Sequence, residues 1–133
     1  MYDRKRANRG WFLKERLVVP GYYLERAIAR GGMGTVYFAR KRGIGTPVAI
    51  KVLAPELAKN EAFVERFLRE AKTMARFSHP NIVHIIDVGR TTDGRYWIAM
   101  EYVNGRNLMQ VMRECRIQGK RIPMEIAVFI ASE

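Results

Sequence analysis

From Tyr22 to Arg30 apolar and polar residues alternate loosely, and Val36-Tyr37-Phe38-Ala39 resumes the β-forming pattern. This predicts two strands joined as a hairpin through the glycine-rich stretch between them. Gly43-Ile44-Gly45-Thr46-Pro47 reads as a turn, and Val48 to Leu53 as a third strand. In it Val48, Ile50 and Val52 face one way while Ala49, Lys51 and Leu53 face the other. The period then changes. Between Glu61 and about Phe77, residues Phe63, Phe67, Met74 and Phe77 recur at spacings of three to four or their multiples, which predicts an amphipathic helix. Asn60 suits its N-cap and Glu61 the positive end of its dipole. Ser78-His79-Pro80-Asn81 ends it, because a residue before proline is steered out of the helical region. Two further strands, Ile82 to Val88 and Tyr96 to Tyr102, flank the polar turn from Arg90 to Arg95; the second is short and mostly apolar and is expected inside the sheet. Asn107 to about Arg116 has helical spacing with Asn107 as cap, and Pro123 opens another apolar stripe at Ile126, Phe129 and Ile130. Residues 1 to about 19 lack periodicity and read as a basic lead-in, with Trp11, Phe12 and Leu13 packing onto the domain and Pro20-Gly21 as punctuation.

Three features of this pattern point to chemistry. Ile28 through Tyr37 holds Gly31, Gly32 and Gly34, and glycine at that density brings bare backbone N–H groups close to a ligand, a phosphate before others. A tight hairpin with no ligand is the alternative. Lys51 sits on a face otherwise small or apolar, so it either snorkels to water or meets an anion. Glu70, three residues after Phe67 and four before Met74, falls on the inward stripe of its helix, where a carboxylate needs a counter-ion. Each misplaced charge is explained by the other, which predicts a Lys51–Glu70 pair; a Glu70 at the edge of the stripe, reaching solvent, is the alternative.

Composition narrows the class without naming a function. The 133 residues, 48% hydrophobic and 28% charged, suit one soluble domain with a core. No apolar run approaches a membrane span, and Met1 to Arg6 is not followed by an apolar signal region, so the expected location is cytoplasmic. Cys115 is the only cysteine, which excludes an internal disulfide and a cysteine-based zinc site. His79 and His84, the only histidines, lack ligand-spaced partners; they read as a helix-end packing residue and a strand residue, and no metal site is expected. The balance of 24 Lys+Arg against 13 Asp+Glu, +11 in all, admits nucleic acid, an acidic membrane or an anionic small molecule as partner. Apart from Arg4, Lys5, Arg6 and Arg9 the basic residues are scattered, with no aromatic-interleaved basic motif, so a solvated basic surface is the simpler reading.

The glycine loop, Val48-Ala49-Ile50-Lys51, the inward Glu70, His79-Pro80-Asn81-Ile82-Val83 and Met100-Glu101-Tyr102-Val103 follow one another in an order that resembles protein kinases. From about Tyr22 onwards the chain looks like the N-terminal lobe of a bacterial serine/threonine protein kinase. The resemblance implies an α+β fold, a five-stranded antiparallel sheet plus one helix, then a hinge and the first helices of a second lobe. On that division residues 1–21 are the lead-in, 22–103 the lobe with its hinge, and 104–133 the incomplete start of the second lobe.

It also implies ATP as the cofactor. Ala29, Arg30, Gly31, Gly32, Met33 and Gly34 would fold over its phosphates; Lys51 would hold the α- and β-phosphates, and Glu70 would fix Lys51 in place. Adenine would lie against Ile28, Val36 and Ala49, with its polar edge at backbone groups of Glu101 and Val103. Met100 would set the depth of the pocket while serving as a core methionine.

Two departures from the family pattern matter. Ala29 stands where the family has its first loop glycine, which hinders close backbone approach at that point. No His-Arg-Asp, Asp-Phe-Gly or Ala-Pro-Glu occurs in the 133 residues, and with them go the catalytic base and the magnesium ligands. The last helix stops at Glu133 in mid-pattern, as a cut chain would. The expected function is the ATP-binding part of a kinase that, when complete and with Mg2+, transfers the γ-phosphate to serine or threonine of a protein substrate, this chain alone being inactive. A noncatalytic kinase-lobe module for binding or regulation is the alternative, and a nucleic-acid binder a weaker third.

Overall fold

The computed structural model describes residues 17–133. Along them run β1 (Tyr22–Gly31), β2 (Gly34–Lys41), β3 (Pro47–Leu53), α1 (Glu61–Met74), β4 (Ile85–Arg90), β5 (Tyr96–Glu101), α2 (Leu108–Ile117) and α3 (Met124–Ser132). The strands form one sheet in the order β1-β2-β3-β5-β4, every neighbouring pair antiparallel. β5 is therefore an inner strand, as its apolar run requires, with Trp97, Ile98 and Ala99 buried.

Strand alternation sorts the core into two halves. Tyr37, Ala39, Val48, Ile50, Val52, Trp97 and Ala99 join Val19 and Tyr22 on one face of the sheet. On the other, Leu53, Ile85 and Ile98 meet Phe67 and Ala71 of α1. Directly paired residues share a face, so the pairs Val36↔Lys51, Phe38↔Ala49, Ala49↔Met100 and Lys51↔Ile98 set Val36, Phe38, Ala49, Lys51 and Met100 side by side on the face that α1 partly covers. Two glycines fit this sheet for steric reasons. A Cβ on Gly34, whose φ is 154°, would stand 2.0 Å from the Val52 carbonyl oxygen, and one on Gly89 would stand 2.5 Å from the Trp97 ring.

Several element ends differ from the sequence expectation. The Asn60 side chain caps α1 as anticipated, accepting from the N–H groups of Ala62 at 3.0 Å and Phe63 at 3.4 Å. The helix nevertheless stops at Met74. Arg76 and Phe77 donate to carbonyls three residues back, Thr73 and Met74, which tightens the last turn, and Phe77 is left outside the helix and exposed. A second turn around Pro80, closed by Ile82 N–H to His79 O at 3.1 Å, delays β4 to Ile85, so His84 precedes the strand instead of lying within it. His79 is exposed; its Nδ1 accepts the N–H of Asn81 at 3.1 Å and so braces that turn instead of packing the helix end. The buried core also reaches back into the stretch read as a lead-in, through Val19 with Leu17 against it. Trp11, Phe12, Leu13 and the basic cluster from Arg4 to Arg9 lie outside the described residues.

α2 begins with a capping box in which Asn107 and Gln110 each accept the other's backbone N–H, at 2.8 and 2.9 Å. α3 follows Pro123 with no side-chain cap, and neither helix contains a buried residue.

Candidate nucleotide site

The β1–β2 hairpin closes with Gly31 paired to Gly34, leaving Gly32 and Met33 as its turn. Its tip is tied down, because the Met33 carbonyl accepts the N–H of Ala54, just past β3, at 2.9 Å. The loop is thus held against the strand that carries Lys51. Register shifts in β1 leave Ile28 between the paired residues Ala27 and Ala29, exposed; Ala29 then pairs with Val36 and Arg30 with Thr35. Beneath the hairpin, Val36, Ala49, Lys51 and Met100 share the sheet face, and Met100 also packs against the core cluster under α1.

Lys51 is half-buried, and its Nζ lies 5.8 Å from the centroid of the Phe67 ring. The Lys51–Glu70 pair expected from the sequence is absent in this structure. The side-chain ion pairs among the described residues join Arg40 to Glu25, Arg69 to Glu65 and Arg95 to Asp93, and Glu70 is exposed. The cause is helix phase. Phe67 at 0% and Ala71 at 2% exposure define the line along which α1 docks, and Glu70 precedes Ala71 by about 100° of rotation, which puts it on the flank. Sequence reasoning chose the partner of Lys51 by charge, although the aromatic ring at the centre of the same stripe was the nearer candidate.

At the end of β5, the Glu101 N–H donates to the His84 carbonyl at 3.0 Å, while the Glu101 carboxylate accepts the His84 N–H at 3.0 Å. Val103 is 63% exposed and makes no hydrogen bond among the described residues. The sequence reading gave no role to Phe38 or to the ring of Tyr102, which meet edge-to-face beside Ala49 with centroids 4.7 Å apart. The alternation Val36–Phe38 already placed Phe38 on this face and was the available signal. Away from the site, burial and the neighbouring Asp87 carboxylate push the Tyr22 hydroxyl above its ordinary range. No helix among the described residues is long and apolar enough to cross a membrane.

A twisted antiparallel sheet with a glycine hairpin at one edge, a lysine on its third strand, one helix against the face bearing that lysine and an open connection after the fifth strand is the architecture of a protein kinase's N-terminal lobe. The model of the protein kinase domain matches residues 22–133, and the chain belongs to that family. Among its relatives, serine/threonine-protein kinase PknJ of Mycobacterium tuberculosis is 41% identical over 116 residues, covering 87% of this chain and 19% of the relative. Serine/threonine-protein kinase pkn3 of Myxococcus xanthus is 44% identical over 91 residues, 68% of this chain and 17% of that one. The crystal structure of the PknI kinase domain of M. tuberculosis superposes with a TM-score of 0.68 at 35% identity, covering 84% of this chain and 43% of that domain. The chain thus spans about a fifth of the length of the curated relatives named here.

Proposed function

We propose that residues 22–103 form the ATP-binding lobe of a bacterial serine/threonine protein kinase that, when complete, transfers the γ-phosphate of ATP to serine or threonine of a protein substrate. The observation that carries this reading is Lys51: an ammonium held half-buried on an apolar sheet face, on the strand to which the glycine hairpin is tethered, with an aromatic ring beside it and, among the described residues, no carboxylate within ion-pair distance. A cation so placed is suited to an anionic ligand, and the loop above it supplies backbone N–H groups. The residues fit ATP. Lys51 would take the α- and β-phosphates, Ala29 to Gly34 would cover them, Ile28, Val36 and Ala49 would enclose adenine, and the backbone of Val103 would meet its polar edge. Glu70 would fix Lys51 only after α1 turns to bring it inward. Mg2+ belongs to the complete enzyme; these residues do not fit it, since no His, Cys, Asp or Glu cluster able to hold a metal occurs among the described residues.

Transfer needs a base and metal ligands that these residues lack, so the 133-residue chain by itself is expected to bind nucleotide without phosphorylating protein. The test pairs the chain with its Lys51→Met variant. A fluorescent ATP analogue should bind the first and lose affinity at least about tenfold for the second, the effect of a lost charge-assisted contact. Equal affinities would overturn the role of Lys51. In a longer protein carrying these residues with His-Arg-Asp and Asp-Phe-Gly, the same substitution should abolish phosphorylation of serine and threonine.

A noncatalytic module is favoured by one observation, the apolar side chains that α2 and α3 leave exposed. Sedimentation of the chain as a well-behaved monomer would count against it.

A further inference from the structure

Phe38 is on the open sheet face beside Ala49, where a large ring should meet water, yet it is only 7% exposed. Among the described residues, Tyr102, Arg26 and Arg40 cover it. The Tyr102 ring stands edge-on to it at 68°, the Arg26 guanidinium lies 4.6 Å from its centroid and that of Arg40 5.4 Å. Arg40 is itself anchored, donating to Glu25 at 2.7 Å and to the Gly45 carbonyl at 3.1 Å. Tyr102 is the first residue beyond β5, and neither it nor Val103 makes a hydrogen bond among the described residues. What holds this connection after its ladder ends is therefore a side chain, and among the described residues the ring contact with Phe38 provides it.

The geometry points to Phe38 as the positioning residue of the hinge: its ring holds Tyr102, and through Tyr102 it fixes the Val103 backbone, the part of the hinge beyond the ladder at which the base of a nucleotide would be read. The inference rests on the nucleotide reading above and adds to it a source of preorganisation. An edge-to-face aromatic pair is directional, and stacked guanidiniums exclude water from it without blocking the backbone of Val103. A backbone fixed before the ligand arrives spares the cost of ordering it on binding.

The test uses nitrogen-15 relaxation on the whole 133-residue chain, with nucleotide affinity measured in parallel, for the wild type, Phe38→Leu, Phe38→Tyr, Tyr102→Leu and the double leucine variant. In the wild type the amides of Tyr102 and Val103 should show order parameters near those of rigid backbone, about 0.85, falling below about 0.6 in either leucine variant. The double variant should fall no further than the single ones, and Phe38→Tyr, which keeps the ring, should retain the wild-type values. Affinity for a fluorescent ADP analogue should drop about threefold to tenfold in the leucine variants, the range of one aromatic pair, and not in Phe38→Tyr. Unchanged order at Tyr102 and Val103 in both leucine variants would overturn the proposal, as would a loss of order spread equally through β3 and β5, which would mark Phe38 as a core residue only. Should Phe38→Leu fail to fold, Tyr102→Leu removes the other ring and decides alone. A wild-type chain that binds no nucleotide would overturn the reading of the site, while the order parameters would still decide whether Phe38 positions the hinge.

Discussion

The sheet with α1 and the pair α2–α3 are both rich in apolar side chains and have opposite fates. In the first region strand alternation and the α1 stripe converge on two buried clusters. In the second, Leu108, Met112, Ile122, Ala127 and Ile130 line an open groove of about 820 Å3, and no residue of either helix is buried. Local signals do not separate the two, for α2 carries the more complete cap. What separates them is whether a second apolar surface faces the first. The sheet has α1 and its own two faces; among the described residues α2 and α3 share a groove but meet no such apolar surface.

Deep truncations should break that comparison open most widely. Phe67→Ala removes the fully buried ring on which α1 docks and beside which Lys51 rests, and it should cost about 3–5 kcal/mol in urea unfolding. That is a large share of the stability of a domain this size. Ile130→Ala, on the groove of α3, should change the same midpoint by less than about 0.5 kcal/mol. A comparable loss in both variants would mean that α3 is packed in solution, and the contrast between the regions would fail. Gly34→Ala comes next. Its Cβ would press on the Val52 carbonyl, and an overpacked contact of this kind costs about 1–3 kcal/mol. The effect should appear as lost β1–β2–β3 pairing in amide exchange, with α2 and α3 unaffected.

How far the sequence foretold this depends on the range of the signal. Elements carried by period and capping were legible: β3 with its two faces, the Asn60 cap, β5 inside the sheet, the Asn107 cap. Ends decided by competition among neighbouring turns were not. α1 stops at Met74 and β4 starts at Ile85 because a tightened turn through Arg76 and Phe77 and a second turn around Pro80 take up residues that the apolar pattern alone would have assigned to helix and strand. The candidate site divides the same way. The shared face of Val36, Ala49, Lys51 and Met100 follows from alternation plus pairing, whereas the Lys51–Glu70 pair depended on some tens of degrees of helix phase that a heptad-scale pattern does not fix. Gly34 was legible as a special position, but with part of its reason missing: the sequence suggested room for phosphate, and the structure adds the Val52 carbonyl.

Caps sharpen the comparison at smaller scale. Asn60→Ala and Asn107→Ala each remove a side chain that accepts backbone N–H bonds, worth about 1 kcal/mol to the helix concerned. Because α1 is docked, the loss of Asn60 should lower the global unfolding midpoint by roughly that amount. The loss of Asn107 should fray α2, visible as reduced helical circular dichroism at unchanged midpoint. Equal shifts in the midpoint would tie α2 to the core after all.

The smallest expected effect concerns acid. The Arg95 guanidinium, 2.5 Å from Asp93, together with the Thr91 hydroxyl holds the Asp93 carboxyl below its ordinary value near 3.8. A carboxylate whose value is lower folded than unfolded adds stability that is complete above the unfolded value and is lost as pH falls through the folded one. Asp93 is 44% exposed, so the pair belongs with screened surface bridges, worth about 0–1 kcal/mol. Between about pH 5 and pH 2 the wild-type urea midpoint should therefore fall slightly more steeply than that of Asp93→Asn. The difference should be confined to the sheet, because Thr91 and Arg95 tie this turn to β5 and the Thr92 N–H donates to the Val18 carbonyl beside the core residue Val19. Helicity of α2 and α3 should follow the same acid profile in both proteins. Superimposable midpoints down to pH 2 would show that the turn is held by its Thr91 backbone contacts alone, and that this charge adds nothing to the region that, among the described residues, has a core.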